Sequence, residues 1–257
     1  MTMGTNAPAR PSQTDQARAP SVLARFRRAV FPVKLLFRHA LQKAGLKSRQ
    51  PKLFFIGFNK TGTKTLQNFF VDNGYLAVHS SSFMARKRKL PPLAKLMQVN
   101  HAAGHPLLAG FDHYDVFSDL VYLTDAEFIE ANGWFRELHT EHPDAYFVFN
   151  DRPVEKWVRS RLSHDGGPRG SFVTRYAKAM AIMETEAPDH WRRDYARHKA
   201  AVLEYFAGSQ RFMLFDIESG RPEDLMQFLA PGYRLNAGLW SHHGSAEQRH
   251  RNNAPAT

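Results

Sequence analysis

The sequence predicts an α/β fold of three layers, in which a central, mostly parallel sheet is flanked by helices. Two observations carry this prediction. Candidate strands and helices alternate from residue 52 onward, which is typical of strands joined by right-handed helical crossovers. Three strand candidates, LFFIGF, AYFVF and FMLF, are uninterrupted apolar runs, and such runs indicate strands that are covered on both faces.

The predicted elements follow in chain order. Strands are expected at residues 52–58, 75–79, 107–111, 145–150 and 212–217. Helices are expected at residues 65–73, 124–139, 154–163, 173–184, 189–206 and 223–229. Ligands of such sheets bind at the carboxyl ends of the strands, so the loop after the first strand is where a site is expected.

Composition and charge limit the classes of function. The chain of 257 residues suits one domain with appendages, and it has no cysteine, which excludes disulfides, thiolate metal sites and a cysteine nucleophile. Residues 1–50 hold ten of the 35 Lys and Arg residues and one acid, Asp15, a net +9. The remaining 25 basic and 23 acidic residues leave a body of only +2, which argues against nucleic acid as a partner. Without a membrane span or a signal peptide, a soluble cytoplasmic protein is expected.

The N-terminal region divides into a tail and a basic arm. Residues 1–20 are rich in Ala, Pro, Ser, Thr and Gln, which predicts disorder. Residues 22–46 carry apolar residues at every third or fourth position between basic ones, which predicts an amphipathic helix that is kinked or split at Pro32. Two interpretations stay open: a helix docked on the body, or peripheral contact with an anionic membrane. The expected organisation is a tail (1–20), an arm (21–50), a domain (51–235) and a C-terminal tail (236–257).

The stretch FIGFNKTGTKTL, residues 55–66, has the composition of an anion-binding loop between a strand and a helix. A helix N-terminus presents unpaired backbone N–H groups to an anion, and Gly62 permits a tight backbone there. Lys60 and Lys64 add positive charge. Hydroxyl donors come from Thr61, Thr63 and Thr65. Phosphate or sulfate is therefore the expected guest.

This loop departs from the phosphate loop of nucleotide triphosphatases. Gly57 and Gly62 have the required spacing, but Thr63 stands where the lysine of that motif belongs, and Lys64 comes one residue late. An ATP-dependent kinase stays open as an alternative, with Asp216 at the end of FMLFD as a Mg²⁺ ligand. The other interpretation of Asp216 is an acid that ends a strand.

A second anion-binding element is indicated by AYFVFNDRPVEKWVRSRLSH, residues 145–164. Its apolar strand ends just before Arg152, and Pro153 suits the first turn of a helix. The guanidinium of Arg152 is suited to binding a phosphate through two N–H groups. Ser160 lies two helical turns further on and offers a hydroxyl.

Together these two motifs resemble those of the superfamily of sulfotransferases that depend on 3′-phosphoadenosine 5′-phosphosulfate (PAPS). K-T-G-T-K-T resembles their 5′-phosphosulfate loop, and Arg152 with Ser160 resembles their 3′-phosphate element. The resemblance covers about residues 52–231 and implies a P-loop-like fold. It also implies transfer of a sulfuryl group from PAPS to an acceptor hydroxyl or amine, with no metal expected. One departure is Thr65, which stands where cytosolic members often have a tryptophan that stacks on adenine, so no adenine-binding residue is assigned.

The resemblance also implies roles for the loop residues. Lys60 is expected to stabilise the bridging oxygen on which negative charge grows, and the backbone N–H groups of residues 62–65 are expected to hold the anionic oxygens. Relatives take the catalytic base from differing elements. Asp119 is the first candidate in GFDHYDVFSD, followed by His113, with Asp112 also considered.

The sequence is compatible with more than one answer to three questions. The acceptor is unassigned, so carbohydrate, lipid, peptide and small phenols are all compatible with the sequence. A non-catalytic nucleotide-binding scaffold, anchored by the N-terminal helix, is a further alternative to an enzyme. Oligomeric state is not indicated by any motif.

Overall fold

The computed structural model describes residues 22–43, 50–80, 91–164, 166–167 and 170–241, so the predicted tail of residues 1–20 lies outside the described residues. The helices are α1 (Val22–Lys43), α2 (Thr63–Asp72), α3 (Leu93–Ala102), α4 (Phe135–Glu141), α5 (Val154–Leu162), α6 (Phe172–Met180), α7 (Ala187–Tyr205) and α8 (Pro222–Leu229). The strands are β1 (Leu53–Phe55), β2 (Ala77–His79), β3 (Val116–Ser118), β4 (Val121–Leu123), β5 (Phe128–Glu130), β6 (Tyr146–Asp151) and β7 (Phe212–Asp216).

The central sheet has five parallel strands in the order β2-β3-β1-β6-β7. Its register places Phe54 of β1 opposite Phe117 of β3 on one side and Phe147 of β6 on the other. Strands β2 and β3 lie on one side of β1, and the later strands β6 and β7 lie on its other side. The carboxyl end of β1 is therefore a topological switch point. Strands β4 and β5 form a separate antiparallel pair. The predicted fold class, a mostly parallel sheet flanked by helices, is confirmed.

Alternation along the strands divides the core into two layers. Phe54 and Phe147 point to the face covered by α3 to α7, and their ring centroids lie 5.2 Å apart. Phe55 and Val148 point to the face covered by α2 and α8. Because successive side chains of a strand face opposite ways, strands buried on both faces must be apolar at every position. This is the physical origin of the runs LFF and YFVF.

The segment 107–111, predicted as a strand, forms turns instead. Ala109 N–H donates to Pro106 O at 3.0 Å and Phe111 N–H donates to Leu108 O at 2.7 Å. These short-range bonds satisfy the backbone locally, while the apolar side chains of the segment are buried beside the sheet. The sheet strand of this region is β3, which starts five residues after Phe111 and was not predicted.

The segment 124–139, predicted as one helix, holds β5, a short 3₁₀ turn at Ala131–Trp134 and only then α4. Thr124 N–H donates to Glu127 O at 2.9 Å, and this turn pairs β5 with β4, which was also not predicted. Pairing with β4 therefore overrides the helical periodicity. Helix α3 was missed as well, whereas the other predicted helices agree with the structure apart from their ends.

Helix α1 is continuous through Pro32, so of the two predicted alternatives, a kink or a split, the split is wrong. A proline removes one backbone hydrogen bond from a helix. Contacts on both sides of Pro32 hold α1 against the body: Arg28 pairs with Asp72, and Leu35 is fully buried in the core. Across the described ranges, no helix combines the length and the apolar character needed to cross a bilayer.

Candidate functional site

The candidate site lies at the carboxyl edge of the sheet, around the end of β1. The loop from Gly57 to Gly62 joins β1 to α2 there. The other four strands of the central sheet end beside it. They contribute His79 at the end of β2, Asp119 after β3, Arg152 after β6 and Glu218 after β7.

The backbone of the loop bends sharply at two residues. Lys60 has φ 66° and Gly62 has φ 74°, both in the left-handed region. A Cβ on Gly62 would lie 2.2 Å from Cγ1 of Ile217, so only glycine fits there. The first backbone bond of α2 runs from Leu66 N–H to Gly62 O, which leaves the N–H groups of Thr63 and Lys64 without a helical acceptor. The loop thus forms the N–H cradle that an anion needs.

Asn150 of β6 fixes the loop to the sheet. It accepts a hydrogen bond from Gly57 N–H at 2.9 Å and donates to the hydroxyl of Thr61 at 2.5 Å. The Thr61 hydroxyl in turn donates to Phe58 O. Asn150 and Thr61 are both fully buried. The Thr61 side chain therefore holds the loop rather than facing a ligand, and only its backbone is available for the predicted binding role.

A second support comes from α5. Trp157 Nε1 donates to Asn59 O at 2.8 Å, and Arg161 Nε donates to Asn59 Oδ1 at 2.8 Å. Arg161 is buried and also pairs with Glu130 at the end of β5. Burial raises the pKa of Glu130, an effect that the neighbouring Arg161 charge opposes. Removing either partner of this buried pair would leave an uncompensated charge. Through Arg161 the pair also connects the loop to helix α5.

The remaining predicted loop residues have different surroundings. Lys60 is half-buried and Lys64 is exposed at the second position of α2. Thr63 and Thr65 are buried in the first turn of α2. Lys60 thus lies within the loop, whereas Lys64 extends toward solvent from the helix.

Arg152 is held against the loop by a direct hydrogen bond. Its Nη1 donates to Lys60 O at 3.0 Å, and its Nε donates to Glu218 Oε1 at 2.9 Å. Lys156 pairs with the other oxygen of Glu218. Partial burial acts to raise the pKa of Glu218, but hydrogen bonds from Lys156 and Arg152 outweigh it and keep the pKa below its usual value. The two cations therefore share one carboxylate beside the loop.

Ser160 lies one turn beyond Lys156, so both side chains are on the same face of α5. Ser160 is half-buried, and its hydroxyl has no partner within the described part of the chain. Arg152, Lys156 and Ser160 thus form a group of donors next to the loop. Lys156 was missed by the sequence reasoning, although its spacing of four residues from Ser160 could have indicated it.

The backbone at Arg152 is fixed by α7. Tyr195 accepts from Arg152 N–H at 3.0 Å and donates to Asp151 Oδ1 at 2.6 Å, and Lys199 pairs with the other oxygen of Asp151 at 2.5 Å. Burial raises the pKa of Tyr195 well above its ordinary value, and the hydrogen bond to Asp151 adds to this shift. The tyrosine is therefore a neutral donor at any physiological pH, and it positions the Arg152 backbone.

A line of three polar side chains leads from Asp119 to the loop. Asp119 Oδ2 lies 3.4 Å from His79 Nδ1, and His79 Nε2 lies 3.0 Å from the hydroxyl of Thr63. Asp119 has φ 57°, a strained conformation for a residue other than glycine. Strain of this kind is often found at functional sites. His79 was missed by the sequence reasoning, since nothing near it in the chain marks it as a site residue.

His113 and Asp112 lie at the opposite edge of the sheet. Both precede β3, whereas Asp119 follows it, so the strand separates them from the loop. Lys52, which precedes β1, contacts the backbone carbonyl of Asp112, and this confirms the amino-terminal edge. The structure therefore brings Asp119 to the Lys60 loop and does not bring His113 or Asp112 there.

Asp216 has a local structural role. Its Oδ1 accepts from Glu218 N–H at 2.8 Å and its Oδ2 accepts from the Ser219 hydroxyl at 2.7 Å. Partial burial acts to raise the pKa of Asp216, but these bonds outweigh it and lower the pKa.

The described residues contain no group of three or more His, Asp or Glu side chains arranged to hold a metal ion.

Comparison with known families agrees with this geometry. A family model described as a sulfotransferase domain matches residues 52–231, which is more than half of the chain. The chain belongs to the sulfotransferase family. This sulfotransferase is accordingly a transferase of the sulfuryl-transfer class, and the match begins at β1 and ends just after α8. No curated protein matches the chain.

Proposed function

We propose that this sulfotransferase moves a sulfuryl group from PAPS to an acceptor hydroxyl or amine by in-line displacement. One observation carries the proposal: Arg152 Nη1 donates to Lys60 O at 3.0 Å. This bond joins a loop suited to a 5′-phosphosulfate to a group of donors suited to a second phosphate. A nucleotide with anionic groups at both its 5′ and 3′ ends matches these two adjacent sites.

The chemistry follows from the residues around the loop. The acceptor oxygen or nitrogen forms a bond to sulfur, the bond from sulfur to the bridging oxygen breaks, and that oxygen keeps the electron pair. In the proposed reaction Lys60 and the N–H groups of residues 62–65 stabilise this charge, which is the main requirement of such transfers. The leaving group is adenosine 3′,5′-bisphosphate.

The acceptor must also lose a proton. His79 is the group we assign to this role, because its Nε2 reaches Thr63 at the start of α2 and its Nδ1 faces Asp119. A carboxylate on one ring nitrogen orients the imidazole and stabilises its protonated form. Asp119 then acts as a positioning residue, which modifies its predicted role as the base.

Glu218 supplies an internal competitor for the nucleotide. It pairs with Arg152 and Lys156, both of which we expect a 3′-phosphate to contact. A bound phosphate must therefore displace the carboxylate or share the cations with it. Removing the charge of Glu218 should strengthen nucleotide binding.

Isothermal titration with adenosine 3′,5′-bisphosphate, with AMP and with ATP plus Mg²⁺ tests the proposal. The bisphosphate should bind about tenfold or more tightly than AMP, because a charged bidentate contact is worth about 1.5–3 kcal/mol. Arg152→Ala and Ser160→Ala should reduce the preference for the bisphosphate over AMP. Glu218→Gln should increase that preference. Arg159→Ala, at an exposed position of α5, is the matched control. Equal affinity for AMP and the bisphosphate, or tighter binding of ATP, would contradict PAPS as the donor.

A further inference from the structure

Helix α1 presents an apolar stripe to solvent. Val22 is 85% exposed, Phe26 62%, Val33 68% and Phe37 64%. These positions fall within about 60° of one another on a helix that turns about 100° per residue. Ala29 and Ala40 are exposed between them on the same face. The stripe extends over nineteen residues, or about 28 Å at 1.5 Å per residue.

The stripe faces outward because the opposite side of α1 is fixed to the body. Arg28 forms two hydrogen bonds with Asp72, at 2.5 and 2.6 Å, and Arg27 donates to Asp72 O at 2.6 Å. Lys34 donates to Gly74 O, and Leu35 is fully buried. A surface helix of a globular protein usually turns its apolar face inward. Here the fixed side combines basic residues with Phe31 and Leu35, which pack on the core, and the free side is apolar as well.

The charge of the N-terminal region favours one kind of binding partner for the exposed apolar stripe. Residues 22–43 contain no acidic residue, and residues 1–50 carry a net charge of +9. A second copy of the chain would bring a region of the same strong positive charge, which opposes self-association through this face. An anionic lipid surface attracts the region and also accepts an apolar stripe.

We propose that α1 lies in the interface of an anionic membrane, with its exposed apolar stripe among the acyl chains and the exposed Arg25, which flanks the stripe, near the headgroups. The stripe is long and narrow, which suits a helix lying parallel to the surface. Asp72 and Gly74 lie at the carboxyl end of α2, whereas the candidate site lies at its N-terminus, so adsorption leaves the nucleotide site free. The proposal does not depend on the donor being PAPS.

Vesicle co-sedimentation with matched variants tests this proposal. The stripe variant carries Phe26→Gln, Val33→Gln and Phe37→Gln. The control variant carries Val99→Gln, Met183→Gln and Leu203→Gln, which replace exposed apolar residues outside α1. The full chain and the control variant should bind phosphatidylglycerol–phosphatidylcholine vesicles and bind pure phosphatidylcholine weakly. The stripe variant should lose about tenfold or more in partitioning, and added salt should weaken the binding of the full chain.

Four outcomes would overturn the proposal. They are equal binding of the stripe variant, equal binding to neutral vesicles, no binding by the full chain, and a dimer that the stripe variant abolishes. Thermal melts check that the stripe variant is folded, and the single variants Phe26→Gln and Phe37→Gln replace it if it is not. Deleting α1 is the poorer test, because it also removes the buried Leu35.

Discussion

At the scale of single residues, Lys60 combines two features of the loop. Its left-handed backbone helps to turn the loop into α2, and its ammonium group is the cation that belongs to the loop itself. Lys64 is only four residues away but extends from the helix surface. The two lysines are similar in the sequence, but only Lys60 lies within the loop.

Lys60→Ala should lower kcat by about 10²-fold or more, because charge on the bridging oxygen grows only as the bond to sulfur breaks. The measurement is release of adenosine 3′,5′-bisphosphate from PAPS, with a panel of phenols, alcohols and amines as acceptors. Affinity for the bisphosphate should fall much less. Lys64→Ala is the control and should retain most of the activity. If Lys60→Ala instead weakens binding and leaves turnover intact, Lys60 binds the ground state only.

The Asp119–His79 pair gives a second prediction at this scale. His79→Gln should lower kcat by about 10²-fold or more, with bisphosphate affinity nearly unchanged, because a general base contributes about 10²–10⁴-fold. Asp119→Asn should cost less and should change the pH profile, since asparagine tolerates the positive φ and removes only the charge.

The exposed His105 offers a control, and His105→Gln should change neither kcat nor the affinity for the bisphosphate. Should Asp119→Asn abolish turnover while His79→Gln retains it, the carboxylate itself would be the base.

At the scale of elements, the end of β1 is fixed by helices packed on one face. His198 of α7 lies with its Nε2 2.8 Å from Ile56 O, and its ring packs against Phe58 and Phe149. Burial lowers the pKa of His198 below its ordinary value of 6.5, an effect that the hydrogen bond to Ile56 O partly opposes. The imidazole is therefore neutral in the folded protein at neutral pH and connects β1 with α7.

This arrangement predicts a dependence of stability on pH. Below about pH 6.5 the unfolded chain binds a proton at His198 that the folded chain does not bind, so the free energy of unfolding falls as the pH is lowered. His198→Gln keeps a donor for Ile56 O but does not titrate. Urea unfolding should be measured at about pH 7.5 and at about pH 5.5. Between these two values the free energy of unfolding should fall less for this variant than for the wild type. An identical loss in the two proteins would assign the dependence to other groups.

At the scale of the whole molecule, α1 belongs to the folded body even though the family match begins only at residue 52. Arg28 neutralises the buried Asp72, whose side chain is 3% exposed, and Leu35 enters the core. The arm thus contributes to stability through one side and leaves the other side free. This arrangement separates its structural role from its proposed role at a membrane.

Neighbouring leucines of α1 test the structural part. Leu35→Ala should lower the free energy of unfolding by about 2–5 kcal/mol, because it removes buried apolar groups and leaves a cavity. Leu36→Ala, at a position that is 49% exposed, should change it by less than about 0.5 kcal/mol. Chemical denaturation of both variants gives the comparison. Similar values for the two would show that α1 is not packed on the body as described.

The sequence by itself determined the fold class, and it predicted an anion-binding loop and a partner element for that loop. Each of these depends on neighbours in the chain: apolar runs make buried strands, and the loop chemistry is complete between Lys60 and Thr65. Arg152 and Ser160 were likewise predicted from one strand and the helix that follows it.

Only the tertiary structure decided which distant side chains meet. His79 and Asp119 are forty residues apart in the chain and adjacent in the site, because β2 and β3 are neighbouring parallel strands that end at the same edge. His113 is six residues from Asp119 and lies at the opposite edge, because β3 runs between them at about 3.3 Å per residue. The amphipathic pattern of α1 was read correctly as a helix. The orientation of its apolar face was decided by Asp72 and Gly74, more than thirty residues away.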